Sequence, residues 1–301
     1  MKREVTVAKH AGFCFGVGRA ADAVEREIAE HAPGTRIFTL GRLIHNDTYV
    51  SRLEAQGVKA IANADIERLC AEATAKAPVK IFVRAHGMTK QTEQLLIACA
   101  AQNPHFTFVD CTCSFVRKIH DIVAQHNAPE HVLFVLGTED HPEVVGFLSR
   151  FDGETVVFSD AEELERLITP EKWQDICAKS PIVVAQTTQK LGEWIKTKEF
   201  IKKLDTNPII FDTICSITEI RQKEVASLAG ACDCMIVIGS RSSSNSTKLY
   251  HISKSACPET YLVESAADLS AYGPFTHQMV GIAAGASTPR DIIEEVQCRC
   301  C

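Results

Sequence analysis

The chain has 301 residues, of which 46% are hydrophobic and 23% are charged, and its formal net charge at pH 7 is −6. This composition is typical of a globular protein with a large core, and the negative charge argues against a nucleic-acid binder, which usually carries a basic stripe. No apolar run is long enough to span a bilayer, and the start MKREVTVAKHAG lacks the apolar segment of a signal peptide. We therefore expect a cytoplasmic protein that binds neither nucleic acid nor membrane.

In chain order, eight runs rich in Val, Ile and Phe are predicted strands. They are RIFTL (36–40), VKIFVR (79–84), VLFVLG (132–137), TVVFS (155–159), PIVVAQ (181–186), PIIFD (208–212), CMIVIG (234–239) and MVGIAA (279–284). Continuous apolar runs of this length are typical of parallel strands that are buried on both faces. Helical patterns lie between them, such as SDAEELERLI (159–168) with its Ser-x-x-Glu capping signal. This alternation predicts βαβ units.

Three kinds of strand end recur at intervals of about a hundred residues. The cysteine set is separated by 99 and 102 residues and comprises Cys14, Cys113 and Cys215. The second set lies four residues after a glycine, with separations of 96 and 102, and comprises His45, His141 and Ser243. The third set has separations of 101 and 100 and comprises His86, Thr187 and Ser287.

The repeat predicts three similar α/β lobes with small, mainly parallel sheets in a pseudo-threefold arrangement. Their predicted bounds are residues 1–111, 112–211 and 212–301, with the C-terminal segment closing on the first lobe. Ligands of open parallel sheets bind beyond the carboxyl ends of the strands. The three sets are therefore expected to meet in one central cavity.

Thirteen cysteines are many for a cytoplasmic chain, and an odd number in a reducing compartment argues against a disulfide framework. Most are expected to be buried small side chains, including Cys111, and CRCC (298–301) is predicted to be a frayed terminus. One cysteine from each lobe suits an iron–sulfur cluster in which one iron has no protein ligand, because thiolates hold such clusters. The alternative is that Cys14, Cys113 and Cys215 are also core residues.

The polar strand ends are suited to hold phosphate oxygens, because hydroxyl, amide and imidazole groups stand near predicted helix starts. The candidate set is His45, His86, His141, Thr187, Ser243, Ser244, Asn245 and Ser287. Taken singly, each of these residues can be a helix cap or a core histidine. Their recurrence at matching places favours a binding site.

Glu143 follows His141 by two residues, and the intervening proline favours an extended backbone before it. This geometry directs both side chains into one pocket. Carboxyl groups in dry cavities near anions retain protons more readily than carboxyl groups in water, so they can deliver a proton near neutral pH. The alternative is an ordinary surface glutamate.

These residues resemble the LytB (IspH) family of 4-hydroxy-3-methylbut-2-enyl diphosphate reductases from end to end. The motifs stand in the family's order and read GFCFGVGRA, IHNDTYVSRLEAQGV, RAHGM, DCTC, HPEVVG, QTT, DTIC, GSRSSSNSTKL and AAGASTP. The resemblance implies a three-lobed α/β fold around one 4Fe–4S cluster per chain, with Cys14, Cys113 and Cys215 as ligands. It implies diphosphate binding by His45, His86, His141, Ser243, Ser244, Asn245 and Ser287. It also places Thr187 near the substrate hydroxyl and makes Glu143 the proton donor.

The implied reaction is the last step of the non-mevalonate isoprenoid pathway, a two-electron reductive dehydroxylation that yields isopentenyl and dimethylallyl diphosphates. Ferredoxin or flavodoxin is the implied electron donor, and we expect a monomer. Departures from the family pattern, such as Phe15 and Ser114, remove no ligand. Two other interpretations stay open: a non-catalytic module with structural zinc and a regulatory phosphate metabolite, and a metal-free phosphate-binding α/β enzyme.

Overall fold

The computed structural model describes residues 3–204, 207–272 and 276–300. Within these residues the strands form three four-stranded sheets, and every strand pair in them is parallel. The predicted α/β class with small parallel sheets is confirmed.

The three sheets share one topology, in which one strand lies between the next two strands of the chain, and a fourth strand pairs with the second of those two at the far edge. The first sheet contains β2 (Arg36–Leu40), β3 (Lys59–Ile61), β4 (Val79–Val83) and β5 (Phe106–Asp110). The second sheet contains β6 (His131–Leu136), β7 (Thr155–Phe158), β8 (Ser180–Ala185) and β9 (Ile209–Ile210). The third sheet contains β10 (Cys234–Ile238), β11 (Thr260–Val263), β12 (Met279–Ala284) and β1 (Glu4–Val7).

The third sheet takes its fourth strand from the beginning of the chain, because β1 pairs with β12. The N-terminal strand therefore completes the C-terminal sheet rather than the first one. By internal contacts the chain divides into two compact units. One comprises Met1–Ala21, Ile44–Gln56 and Ser216–Cys301, and the other comprises Asp22–Leu43 and Gly57–Cys215. The predicted lobe boundaries at 111/112 and 211/212 stay a prediction.

All eight predicted strands form, and the four strands that lack a prediction are β1, β3, β5 and β11. Each of these four lies at the edge of its sheet. Edge strands are only partly covered, so their sequences need no continuous apolar run. Burial of β1 alternates along its length, and Lys59 and Ala60 in β3 are exposed. Their sequences therefore carry a weaker signal than the central strands do.

The described chain contains twelve α-helices, which lie between the strands or, for the last one, after β12. They are α1 (Phe15–Glu30), α2 (Asp47–Ala55), α3 (Ile66–Glu72), α4 (Lys90–Gln102), α5 (Ser114–Gln125), α6 (Pro142–Leu148), α7 (Ala161–Leu167), α8 (Pro170–Ile176), α9 (Leu191–Ile201), α10 (Ser216–Ala229), α11 (Ser244–Ala256) and α12 (Arg290–Cys300). No helix in the described ranges is both long and apolar enough to cross a membrane.

Two predicted helix ends need correction. The N-cap of α7 is Asp160, one residue later than the predicted cap, and its carboxylate accepts a hydrogen bond from the Glu163 amide at 2.8 Å. Helix α12 continues to Cys300, whose side chain is buried in the core of the third sheet. The terminus is therefore packed through Cys300, and Cys301 lies outside the described residues.

The second sheet shows why the sequences of the central strands are continuously apolar. Phe134 packs with Trp194 on one face of the sheet, and Leu133 packs with Phe147 on the other. Truncation of a buried Phe or Trp to Ala typically costs about 3–5 kcal/mol of stability. Both faces of the strand therefore contribute to the core, and the strand ends carry the polar residues.

Candidate functional site

Backbone hydrogen bonds define equivalent positions in the three sheets. The first of these hydrogen bonds is made by the glycine that follows β2, β6 or β10. Its amide donates at 2.8 Å to the last residue of the neighbouring edge strand, and the pairs are Gly41 with Ile61, Gly137 with Phe158, and Gly239 with Val263. Four residues after these glycines stand His45, His141 and Ser243. The second predicted set therefore occupies equivalent places.

The three cysteines also occupy equivalent places. The amide of each cysteine donates to the carbonyl oxygen found two residues beyond the end of β4, β8 or β12. The pairs are Cys113 with Ala85 at 3.0 Å, Cys215 with Thr187 at 3.0 Å, and Cys14 with Ala286 at 3.4 Å. Cys14 occupies this place in the third sheet because it follows β1, the strand that completes that sheet.

The same hydrogen bonds correct the third predicted set by one residue. Thr187 is equivalent to Ala85 and Ala286, so Thr188 is the counterpart of His86 and Ser287. The backbone hydrogen bonds of the following turns support the same alignment. The amide of Gly87 donates to the carbonyl of Arg84, that of Gln189 to Gln186, and that of Thr288 to Gly285. Separations near a hundred residues cannot decide between adjacent positions, whereas hydrogen bonds to a fixed carbonyl can.

Each of the three cysteines stands directly before a helix. Cys113 is the N-cap of α5, and Cys14 and Cys215 immediately precede α1 and α10. All three are partly exposed, whereas Cys111 and Cys234 are buried. No disulfide joins the cysteines that the structure describes. The amides and dipole of a helix N-terminus favour negative charge, so these positions suit thiolate ligands.

Glu143 is a buried residue in the first turn of α6 and is 1% exposed. Its Oε1 accepts a hydrogen bond from the Thr187 amide at 2.6 Å, and its Oε2 accepts one from the Thr187 hydroxyl at 2.8 Å. The alternative of a surface glutamate is wrong. The carboxyl group and the hydroxyl instead form a buried pair that can pass a proton along one hydrogen bond.

His141 and Pro142 begin α6 and orient Glu143. The backbone of His141 is extended, and its Nδ1 accepts a hydrogen bond from the Glu143 amide at 3.2 Å. The imidazole rings of His86 and His141 lie edge to face, with centroids 5.5 Å apart. The structure thus brings two of the predicted histidines together, and one of them contacts the backbone amide of Glu143. Imidazoles can carry charge near neutral pH, so the pair suits an anionic ligand.

The serine-rich segment of the third sheet forms the start of α11. The Ser243 hydroxyl caps the helix by accepting from the Ser246 amide at 3.4 Å, so the helix-cap interpretation applies to this residue. Asn245 is 6% exposed, and its Nδ2 has no hydrogen-bond partner within the described residues. A buried amide donor of this kind needs an acceptor, and a bound phosphate oxygen would supply one.

Lys248 is a residue that the sequence analysis missed. Its ammonium group donates to the Ser244 hydroxyl at 2.8 Å, one helical turn away. The signal was the i, i+4 spacing on a predicted helix, which places both side chains on one face. His45 directly precedes Asn46, the N-cap of α2, and Ser287 is buried in the turn after β12.

Comparison with known proteins assigns the family. The model of the family described as LytB protein matches residues 5–300. The chain belongs to the LytB protein family. The family predicted from the motifs is therefore confirmed.

Two curated relatives of similar length to this LytB chain are named 4-hydroxy-3-methylbut-2-enyl diphosphate reductase. The protein from Clostridium perfringens is 36% identical over 298 residues, covering 98% of both chains. The protein from Caldanaerobacter subterraneus subsp. tengcongensis is 34% identical over 293 residues, covering 97% of this chain and 95% of its own. A third relative, from Clostridium acetobutylicum, is 36% identical, but this LytB chain spans only 42% of its length.

Solved structures agree with the family. A structure of (E)-4-hydroxy-3-methyl-but-2-enyl diphosphate reductase, described as the terminal enzyme of the non-mevalonate pathway, is 32% identical with a TM-score of 0.66. The match covers 99% of this chain and 98% of that one. The E-1-hydroxy-2-methyl-but-2-enyl-4-diphosphate reductase from Plasmodium falciparum is 24% identical with a TM-score of 0.78, covering 98% of this LytB chain and 86% of that one. The second likeness concerns the fold alone.

Proposed function

We propose that this chain converts (E)-4-hydroxy-3-methylbut-2-enyl diphosphate to isopentenyl and dimethylallyl diphosphates by a two-electron reductive dehydroxylation. The reaction is the last step of the non-mevalonate isoprenoid pathway. Relatives of matching length carry the name of this reductase, so the predicted function and oxidoreductase class are confirmed at the level of that name. The observation that supports the chemistry most directly is the buried pair of Glu143 and Thr187.

The proposed cofactor is one 4Fe–4S cluster held by Cys14, Cys113 and Cys215. The donor set fits, because three partly exposed thiols stand at equivalent strand ends and each directly precedes a helix. When bound, such a cluster supplies electrons and, at an iron without a protein ligand, a Lewis-acid site for the substrate hydroxyl. The chain's own residues then orient the substrate and deliver protons.

The proposed diphosphate ligands are His45, His86, His141, Ser243, Ser244, Asn245 and Ser287. The contact between the His86 and His141 rings supports this role, as does the Asn245 amide that has no partner within the described residues. Lys248 adds a positive charge beside the Ser244 hydroxyl. A clamp of this kind fixes the reacting end of the substrate, and such orientation can lower a barrier by up to about 7–11 kcal/mol.

The proposed proton path runs from the Glu143 carboxyl through the Thr187 hydroxyl to the departing oxygen, which leaves as water. Two electrons and two protons balance the reaction: one proton completes the water, and the other adds to the allylic carbanion left on the substrate. Because that carbanion accepts a proton at either end, one intermediate yields both products. Burial of the pair keeps bulk water from competing as the proton source.

Anaerobic purification separates this function from the two other interpretations. A brown protein that contains iron and sulfide, and that turns over the allylic diphosphate with a chemical reductant, supports the reductase. A colourless protein with stoichiometric zinc supports a structural-zinc module, and a colourless metal-free protein supports a simple phosphate-binding enzyme. Ferredoxin or flavodoxin as electron donor, a cytoplasmic location and a monomeric state stay predictions.

A further inference from the structure

Arg150 is a buried arginine that joins two backbone segments of the proposed site. Its side chain is 8% exposed. Its Nη1 donates to the carbonyl oxygens of Met88 at 3.1 Å and of Gly146 at 2.5 Å, and its Nη2 donates to a Glu93 carboxylate oxygen at 2.7 Å. Met88 lies two residues after His86, and Gly146 lies three residues after Glu143. One guanidinium group therefore contacts both the turn that follows β4 and the helix that carries the buried carboxyl group.

The ring of His120 fills the space between the same two segments. A Cβ atom at Gly87 would lie 2.9 Å from the ring Cε1, and a Cβ atom at Gly146 would lie 3.1 Å from the ring Nε2. Gly87 therefore needs to be glycine for the ring to fit, and a side chain at Gly146 would push the ring away by a few tenths of an ångström. Burial, assisted by the positive charges of Arg150 and Arg117, lowers the pKa of His120 to about 3. The ring is thus neutral at pH 7 and packs beside the guanidinium group without repulsion.

We propose that Arg150 is a positioning residue that fixes His86 relative to His141 and Glu143. The ring of His120 packs between the two segments that Arg150 joins. The inference rests on the proposed function, because Arg150 acts through residues assigned to the diphosphate and to the proton path. A planar guanidinium group can donate to three acceptors at fixed angles, whereas a lysine ammonium group is a compact point donor that cannot reproduce the fork. Arg150→Lys therefore keeps the positive charge but loses the simultaneous hydrogen bonds to Met88, Gly146 and Glu93.

The test compares Arg150→Lys with Arg36→Lys in the cluster-loaded protein. Arg36 has a similar ion pair, 3.0 Å from Glu72, but it is the first residue of β2 and lies at the opposite end of the strand from the site. We expect Arg150→Lys to lower kcat/KM by on the order of a hundredfold at unchanged iron content, since displacement by about 1 Å can have this effect. Arg36→Lys is expected to stay within about threefold of the parent. An Arg150→Lys variant that also stays within this range overturns the proposal.

Hydrogen–deuterium exchange supplies a readout that does not depend on turnover. We expect Arg150→Lys to exchange faster than the parent in residues 85–89 and 142–149 together, with the remaining peptides unchanged. A rise in exchange throughout the sheet cores would indicate a merely structural role and overturns the proposal, as does unchanged exchange in either segment. A parent protein that loads its cluster but does not reduce the substrate refutes the proposed function alone. The coupled exchange of the two segments still decides whether Arg150 joins them.

Discussion

Replacement of Glu143 by glutamine tests the proposed proton path with little change in shape. The glutamine carbonyl can still accept from the Thr187 amide, now at 2.6 Å from Oε1, and its NH₂ group can donate to the Thr187 hydroxyl once that hydroxyl proton turns away. Both hydrogen bonds between Thr187 and this side chain become neutral ones, so we expect the free energy of unfolding to fall by about 1–2 kcal/mol. The variant, however, has no proton to deliver.

A positioned general acid typically contributes 10²–10⁴-fold to a rate, which corresponds to about 3–5 kcal/mol of barrier. We therefore expect Glu143→Gln to lose at least about a hundredfold in kcat. Iron content and affinity for the allylic diphosphate should stay within about threefold of the parent. The assay is anaerobic turnover with a chemical reductant, normalised to iron. Glu139→Gln is the matched control, because Glu139 is exposed and lies four residues away.

Turnover of Glu143→Gln within about threefold of the parent would refute the reasoning, because another group would then supply the proton. Loss of the iron together with the activity would also count against it. That outcome would mean that the carboxylate supports the cluster rather than the proton transfer.

Four further predictions follow from the geometry. Cys113→Ser should lose iron and activity together while Cys111→Ser, at a 2% exposed core position, retains both in iron analysis and turnover; the reverse pattern would exchange their roles. Gly87→Ala should lower the free energy of unfolding by about 2–4 kcal/mol in urea titrations, because its φ is +79° and the new Cβ would meet His120 at 2.9 Å; an unchanged value would contradict the packing argument. Asn245→Ala should keep the parent's stability but weaken calorimetric binding of the allylic diphosphate by about tenfold, and equal affinity would remove Asn245 from the site. The pKa of His120 falls from 6.5 to about 3 on folding, so the unfolded chain binds a proton that the folded chain does not. The parent should therefore lose about 1 kcal/mol of stability between about pH 6.5 and about pH 5.5, and His120→Asn should lose less; equal slopes would contradict the assignment.

The sequence predicts the central strands well, because a strand buried on both faces must be apolar along its whole length. It misses four of the six edge strands, and β1 and β3 show the reason, because a partly covered strand needs no continuous apolar run. The positions of the candidate cysteines and histidines could also be predicted from the sequence, because a glycine or a strand end marks each of them locally. Lys248 was not found, although its helical spacing from Ser244 was visible.

The sequence by itself determined which residues stand at the strand ends and to which family the chain belongs, because both depend on local pattern. Only the tertiary structure decided that β1 pairs with β12, 275 residues away in register, and thereby gives Cys14 to the third sheet. It also decided that Glu143 meets Thr187 across 44 residues, and that Thr187 stands one position earlier than its spacing indicated. The pattern of apolar residues in the sequence indicates how each segment is buried. The partner of a strand or of a carboxyl group depends instead on how distant segments pack together.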